Sequence, residues 1–228
     1  MEKKISMHKK QIDRFIGVAI FALIAVTLGV SLQFKNGKLY RPRYIFIDGG
    51  AHLGETILHL EKSKLYSKHH WEIFSFEANP NLIPYIPKRP NVVVLSKAIW
   101  IDDNGIDFYL AKHTESSSIL KNKKTGELSK IPIRVESVDF GQWLKRNFNQ
   151  KDFILVKFDI EGAEYEVLNK MLLDGTIRFI DELYIEFHNT RVDIPKQRDT
   201  ELMAEIRKFG IPVKDSPESE EFGDWFKK

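Results

Sequence analysis

From Arg43 onward short apolar runs alternate with segments of helical spacing, an order that predicts a mostly parallel sheet with helices on both faces. Strands are predicted near Tyr44 to Asp48, Glu72 to Glu77 and Val92 to Leu95, with helices opening near Gly54 and near Asn81 between them. Pro80, Pro84, Pro87 and Pro90 make the second helix short and irregular. Asp107 to Leu110 and Ile131 to Val135 read as extra strands, and the polar Lys121 to Gly126 stretch between them is most simply a solvated loop. Phe153 to Asp159 is another buried strand, followed by a helix from about Ala163 to Leu173 with Gly175 behind it. Leu183 to His188 repeats the plan, with a helix near Thr200 to Phe209. Little chain remains after Gly210, so an antiparallel hairpin completing the sheet must be short or partly absent, and Glu218 to Glu221 reads as a solvated tail.

A different pattern precedes this region. Phe15 to Leu32 is 18 residues without a charge, which at 1.5 Å per residue spans about 27 Å of a hydrocarbon core about 30 Å thick. Extension to Phe34 across Gln33 closes the gap, and the apolar stretch exceeds the usual core of a cleaved signal peptide. The expected organisation is a basic tail at 1–14, a single transmembrane helix at 15–34, a linker at 35–43 and one domain at 44–228. Five basic residues before the span and four shortly after it do not set an orientation, so the face of the membrane on which the domain stands is open.

Composition narrows the chemistry. The chain of 228 residues has no cysteine, which removes disulfides, thiol nucleophiles and zinc–cysteine sites. Its formal charge is +3, but five basic and two acidic residues before the span leave 30 of each sign for the remainder. The globular part is neutral, and no nucleic-acid partner is expected.

The richest stretch is Asp48-Gly49-Gly50-Ala51-His52-Leu53-Gly54, where a buried strand ends in an acid and opens into a glycine-rich turn before a helix. In open α/β sheets ligands bind at such a place. A dinucleotide site wants glycine at the first, third and sixth positions of the turn, and here they are Gly49, Ala51 and Gly54. The glycine that admits a pyrophosphate is missing. Glu77 closes the next apolar run and suits the two hydroxyls of a ribose, so a nucleoside without a pyrophosphate fits best, S-adenosylmethionine being the common one.

Asp48, Glu77, Asp159 and the Glu186/His188 pair all end apolar strands at what should be one edge of the sheet. Lys157 shares a face with Asp159, and Glu186 with His188, because side chains alternate. A lysine in an apolar strand needs a partner, expected among Asp159, Glu161 and Glu186; a buried ion pair that only orients the sheet edge is an equally good account. Asp159, Glu161 and Glu164 place three carboxylates across a strand end and a helix start, of which capping explains one or two. Gly162 suggests a close approach to the backbone by a ligand. His188 reads either as a satisfied core histidine or as a general base, and Thr114 to Ser118 as a surface turn or a loop lending hydroxyls to a ligand.

Together, Asp48 to Gly54, Phe76-Glu77-Ala78-Asn79-Pro80, Lys157 to Glu164 and Glu182 to His188 resemble the FkbM-type S-adenosylmethionine-dependent methyltransferases. The resemblance implies a Rossmann-like class I methyltransferase fold. It also implies that Asp48, Gly50, His52, Gly54 and Glu77 hold S-adenosyl-L-methionine, with Gly49, Thr56 and Ala98 completing the expected cofactor set. Family members are similar to O-methyltransferases acting on hydroxyls of sugars, glycans or polyketides. Asp159, Glu161, His188, Lys157 and Glu186 form the expected catalytic set, with Asp159 and Glu161 placing the cofactor's methionine end and the acceptor, and with His188 as the leading base; no metal is included. The expected partners are a small-molecule or glycan acceptor and a membrane. Two alternatives stay open: a membrane-anchored glycosyltransferase holding a divalent metal on Asp159 and Glu161, and a non-catalytic adenosyl-binding module.

Overall fold

The structure, a computed structural model, describes residues 33–35 and 38–215. The chain divides into two compact units at Pro42. In the first, β1 (Gln33–Lys35) pairs antiparallel with β2 (Lys38–Tyr40), Gln33 opposite Tyr40. This corrects the end of the expected span: Gln33 and Phe34 are strand residues, not the last residues of a helix. Residues 1–32, with the tail and the rest of the expected anchor, lie outside the described residues, as does the acidic stretch at 218–221. Among the described residues no helix is long and apolar enough to cross a membrane.

The second unit is an α/β domain. Its sheet contains β3 (Tyr44–Gly49), β4 (Trp71–Phe76), β5 (Val92–Leu95), β10 (Phe153–Phe158), β11 (Glu182–Ile185) and β12 (Val213–Asp215). They lie in the order β12-β11-β10-β3-β4-β5 with every pairing parallel. The chain starts in the middle at β3, steps outward to β5, then crosses back to β10 on the other side of β3 and steps outward again. The reversal between β3 and β10 opens a crevice at their carboxyl ends, which is where such sheets bind ligands. No antiparallel strand joins this sheet among the described residues.

Both faces of the sheet are covered, so the central strands are apolar on both sides. Ile45 and Ile47 of β3, Ile154 and Val156 of β10, and Leu183 and Ile185 of β11 pack on one face. Helices α2 (Phe140–Asn147), α3 (Glu164–Asp174) and α4 (Gln197–Arg207) bury Leu144, Leu168 and Leu202 in that same cluster. Phe46, Ile73, Leu155 and Tyr184 point the other way, onto Ile57 and Leu60 of α1 (Glu55–Glu61). Alternation therefore puts Asp48 and Lys157 on the α1 face, in line with Phe46 and Leu155.

Between β5 and β10 the chain builds small additions. β6 (Ala98–Trp100) pairs parallel with β9 (Ser137–Asp139), and β7 (Ile106–Phe108) pairs antiparallel with β8 (Ile133–Val135). The helix expected near Asn81 is one 3-10 turn at Ile83–Tyr85, as the prolines require. Sequence reading did not anticipate α2, which Asp139 caps by accepting a hydrogen bond of 3.1 Å from the Gln142 amide. β11 stops at Ile185, so Glu186, Phe187 and His188 lie beyond the strand.

Candidate active site

The turn after β3 is held by the strand beside it. The Gly50 and Ala51 amides both donate to the Phe76 carbonyl, at 3.0 and 2.9 Å. The next amide, that of His52, donates to Glu77 Oε2 at 2.8 Å, and the Asn79 amide donates to Glu77 Oε1 at 2.7 Å. Burial pushes the Glu77 carboxyl up, against these two hydrogen bonds. Gly50 has φ 78°, and a Cβ there would meet the Asp159 carbonyl at 1.9 Å. The close approach expected of a ligand at this glycine is thus made by the β10 end of the protein itself. Gly54 caps α1, the buried Thr56 follows in its first turn, and His52 bridges Glu55 Oε1 at 3.1 Å and Thr114 Oγ1 at 2.9 Å.

Asp48 and Lys157 are register partners on β3 and β10. Lys157 Nζ lies 3.4 Å from Asp48 Oδ1 and 3.5 Å from Asp159 Oδ2, and donates to the Gly50 carbonyl at 2.7 Å. Burial raises the Asp48 carboxyl to about 6, with Lys157 pulling the other way. Burial also opposes the charge on Lys157, yet Asp48 and Asp159 outweigh it and hold the ammonium above its ordinary value. Asp159 was an expected partner of Lys157; Asp48, more than a hundred residues away in sequence, was not.

The Asp159 to Glu164 turn is built around a fully buried carboxylate. Glu164 Oε1 accepts from the Ile160 amide at 2.8 Å, and Oε2 from the Gly162 amide at 2.8 Å. It thereby satisfies two amides of the turn that leads into α3, where no N-cap side chain makes a hydrogen bond. Glu161 has φ 56° and Gly162 φ 105°. A Cβ on Gly162 would meet Leu120 and Val192 side chains at 2.7 Å, so packing and not a ligand approaches the backbone there, which corrects the sequence reading.

His188 is fully buried behind this turn. Its Nδ1 is 3.0 Å from Glu164 Oε1, while Nε2 faces Asp159 Oδ1 at 3.5 Å, Glu161 Oε1 at 3.6 Å and Glu186 Oε1 at 3.6 Å without a hydrogen bond. Burial disfavours the imidazolium, but Glu164, Glu161 and Asp159 outweigh it and raise His188 to about 9. Burial and the neighbouring Asp159 raise Glu186 as well, with His188 opposing.

Lys121 to Gly126 is not a simple solvated loop. Lys123 is buried, ion-paired to Glu161 Oε2 at 2.5 Å and donating to the Ser116 carbonyl at 2.6 Å. Arg191 Nη1 reaches the same Glu161 carboxylate at 3.3 Å, and Ser118 Oγ donates to the Glu161 carbonyl at 2.8 Å. The segment is strapped across the crevice. Lys123 and Arg191 are among the site residues that sequence reading missed; a lysine among polar neighbours carries no periodic signal of burial.

A cleft of about 240 Å³ opens at these strand ends. Gly50, His52, Thr56, Glu77 and Ala98 of the expected cofactor set line it, as do Lys157, Asp159 and Glu161 of the expected catalytic set. Asp48, Gly49 and Gly54 support its walls without lining it, and Glu186 and His188 lie behind Asp159 and Glu161. Thr114, Glu115 and Ser117 also line it, so the Thr114 to Ser118 turn belongs to the site. Its ionisable lining is dominated by carboxylates: Glu55, Glu77, Glu115, Asp159 and Glu161 stand against Lys97 and Lys157.

The family model for the methyltransferase FkbM domain matches residues 48–212. No curated protein and no solved structure matches the chain.

Proposed function

This chain belongs to the FkbM methyltransferase family and is an S-adenosylmethionine-dependent methyltransferase; from that premise we propose that it methylates a hydroxyl of a sugar or glycan, with the cofactor in the cleft between the β3 and β10 ends. The carrying observation is the fate of the turn's amides. Gly50, Ala51 and His52 spend their N–H groups on Phe76 and Glu77, so the turn keeps none of these for a phosphate. A cleft edged by five carboxylates and two lysines disfavours a diphosphate and favours a cationic ligand, which the sulfonium is. These are the features expected of an adenosyl site and not of a nucleotide-sugar site.

Glu77, whose oxygens each accept one amide and retain a lone pair, would take the ribose hydroxyls. Phe76, Ala98 and Ile99 supply apolar wall for the base. S-adenosylmethionine supplies a methyl group on a positively charged sulfur. Lys157 fixes the Gly50 carbonyl and orients Asp159 at the cleft floor. Asp159 would take the hydroxyl proton as the acceptor oxygen receives the methyl group and the neutral thioether leaves. This reading moves the base from His188 to Asp159. His188 is buried behind Asp159, does not line the cleft and is surrounded by carboxylates, whereas the Asp159 side chain keeps 21% of its surface.

The uncharged run at 15–32 supports attachment of the enzyme to a membrane and hence an acceptor made there. Calorimetric titration of the full-length chain with S-adenosylhomocysteine tests the site, with a nucleotide sugar plus and minus manganese as the opposing ligand. Saturable binding of the first with none of the second is expected; metal-dependent binding of the second alone defeats the proposal.

A further inference from the structure

The ring nitrogen that faces into the carboxylates has no hydrogen bond. His188 Nε2 is buried and unpartnered in that sense, at 3.5 Å from Asp159 Oδ1, 3.6 Å from Glu161 Oε1 and 3.6 Å from Glu186 Oε1. A buried polar atom aimed at three acceptors at this distance is costly unless something sits among them. Two ligand atoms each about 2.1 Å from one ion stand about 3.4 Å apart at a tetrahedral angle. We propose that Asp159, Glu161 and His188, whose ligand atoms lie within 4.8 Å of one another, form a site for one divalent cation at the floor of the cleft, with Glu186 beside it.

The surroundings are those of a metal-binding histidine. Its other nitrogen, Nδ1, is fixed at 3.0 Å by Glu164, which is itself locked by the Ile160 and Gly162 amides. A carboxylate behind the ring orients it and raises its basicity as a ligand. β10 and β11 are adjacent parallel strands with Phe158 opposite Ile185, so Asp159 and Glu186 leave the sheet side by side. Glu161 reaches the same point only because it adopts a left-handed backbone at φ 56°, a strained conformation for a non-glycine residue.

Charge points the same way. Asp48, Asp159, Glu161, Glu164 and Glu186 face Lys157, Lys123 and Arg191 across this cluster. Taken as ionised, five carboxylates exceed three cations by two charges beside a neutral imidazole, which one divalent ion balances fully, whereas the imidazolium that these carboxylates otherwise favour balances only one. One imidazole with two carboxylates and open positions for water suits a borderline-hard ion, and Mn²⁺ best matches that mixture. Asp159 and Glu161 line the cleft, so the ion borders the space where the acceptor would stand. A role in holding an acceptor through two neighbouring oxygens rests on the methyltransferase reading; the ion's binding does not.

The test is titration of chelator-stripped full-length chain with Mn²⁺, followed by calorimetry and by electron paramagnetic resonance, with Mg²⁺ and Zn²⁺ as further arms. One Mn²⁺ per chain is expected, showing nitrogen coupling from a single imidazole. Glu161→Gln and Asp159→Asn should each weaken binding at least tenfold, and His188→Gln should remove the nitrogen coupling. Absence of saturable binding of all three ions by the folded chain overturns the proposal and leaves a proton on His188 as the occupant. Binding that survives all three substitutions unchanged also overturns it. S-adenosylhomocysteine titrated into the same samples separates the two readings: adenosyl binding without metal binding removes only the cation site, and the reverse removes only the adenosyl site.

Discussion

Asp48 and Lys157 sit opposite one another on adjacent parallel strands, and the carboxylate Oδ1 lies 3.4 Å from the ammonium nitrogen with both side chains fully buried. Burial holds the Asp48 carboxyl near 6 despite the lysine. Its folded value is above the unfolded one, so its stabilising contribution is complete below about pH 4 and is lost as pH rises through about 6. The difference in unfolding free energy between wild type and Asp48→Asn should therefore move by on the order of 2 kcal/mol in favour of the variant between pH 4.5 and pH 7. Urea unfolding at the two pH values measures it. A constant difference would mean that Asp48 does not titrate in that interval.

Glu164 carries more of the turn than any other side chain in it. It accepts the Ile160 and Gly162 amides and holds Nδ1 of His188, the first bond partly buried and the other two fully. Glu164→Ala should cost about 3–5 kcal/mol, since it strands buried donors and a buried charge. The exposed neighbour Glu166→Ala should stay within about 0.5 kcal/mol. Equal urea midpoints for the two variants would show that the turn is held by packing alone.

How far the sequence could be read depended on the range of each interaction. Strands β3, β4, β5, β7, β8, β10 and β11 and helices α1, α3 and α4 were legible because their periodicity is local, as in Tyr165, Leu168 and Met171 on one face of α3 before Gly175, whereas β1, β2, β6, β9 and β12, three residues each, were not anticipated. The strand-end acids were legible too, because a buried strand that stops at a carboxylate carries its own signal. The helix α2 was lost because Gly141 and polar neighbours dilute the pattern of Phe140, Trp143 and Leu144. The partnerships were lost for a different reason: Asp48 with Lys157, and Lys123 with Glu161, are set by sheet register and by a loop crossing the crevice, neither of which has a local signature. Gly162 is a site of close approach, as its place in the sequence suggests, but there and at Gly50 what approaches is the protein itself.

Lys123 provides the sharpest check on that crossing segment. Its side chain is fully buried against Glu161, whereas Lys121 is exposed. Lys123→Met keeps the length and removes the charge, leaving Glu161 to Arg191; a loss of about 2–4 kcal/mol is expected, with faster proteolysis between Ala111 and Leu128. Lys121→Met should change neither. Matching cleavage patterns for the two variants and wild type would show that the strap does not depend on this pair.

Glu77 combines two roles that must be separated. Its carboxylate clamps the His52 and Asn79 amides, and it faces the cleft where ribose hydroxyls are proposed to bind. Glu77→Gln places an amide NH₂ against one of those N–H donors, so some stability is lost whatever the ligand, about 1–3 kcal/mol. A weaker affinity for S-adenosylhomocysteine would by itself be ambiguous. The discriminating comparison adds a change on the ligand: an S-adenosylhomocysteine analogue lacking the 2′-hydroxyl removes the proposed partner without touching the clamp. Wild type should prefer the intact ligand by about tenfold or more, the worth of a hydrogen bond to a charged acceptor. If Glu77 holds the ribose, Glu77→Gln should lose most of that preference, since each change deletes the same interaction. If it only clamps the turn, both ligands should weaken by the same factor and the preference should survive intact.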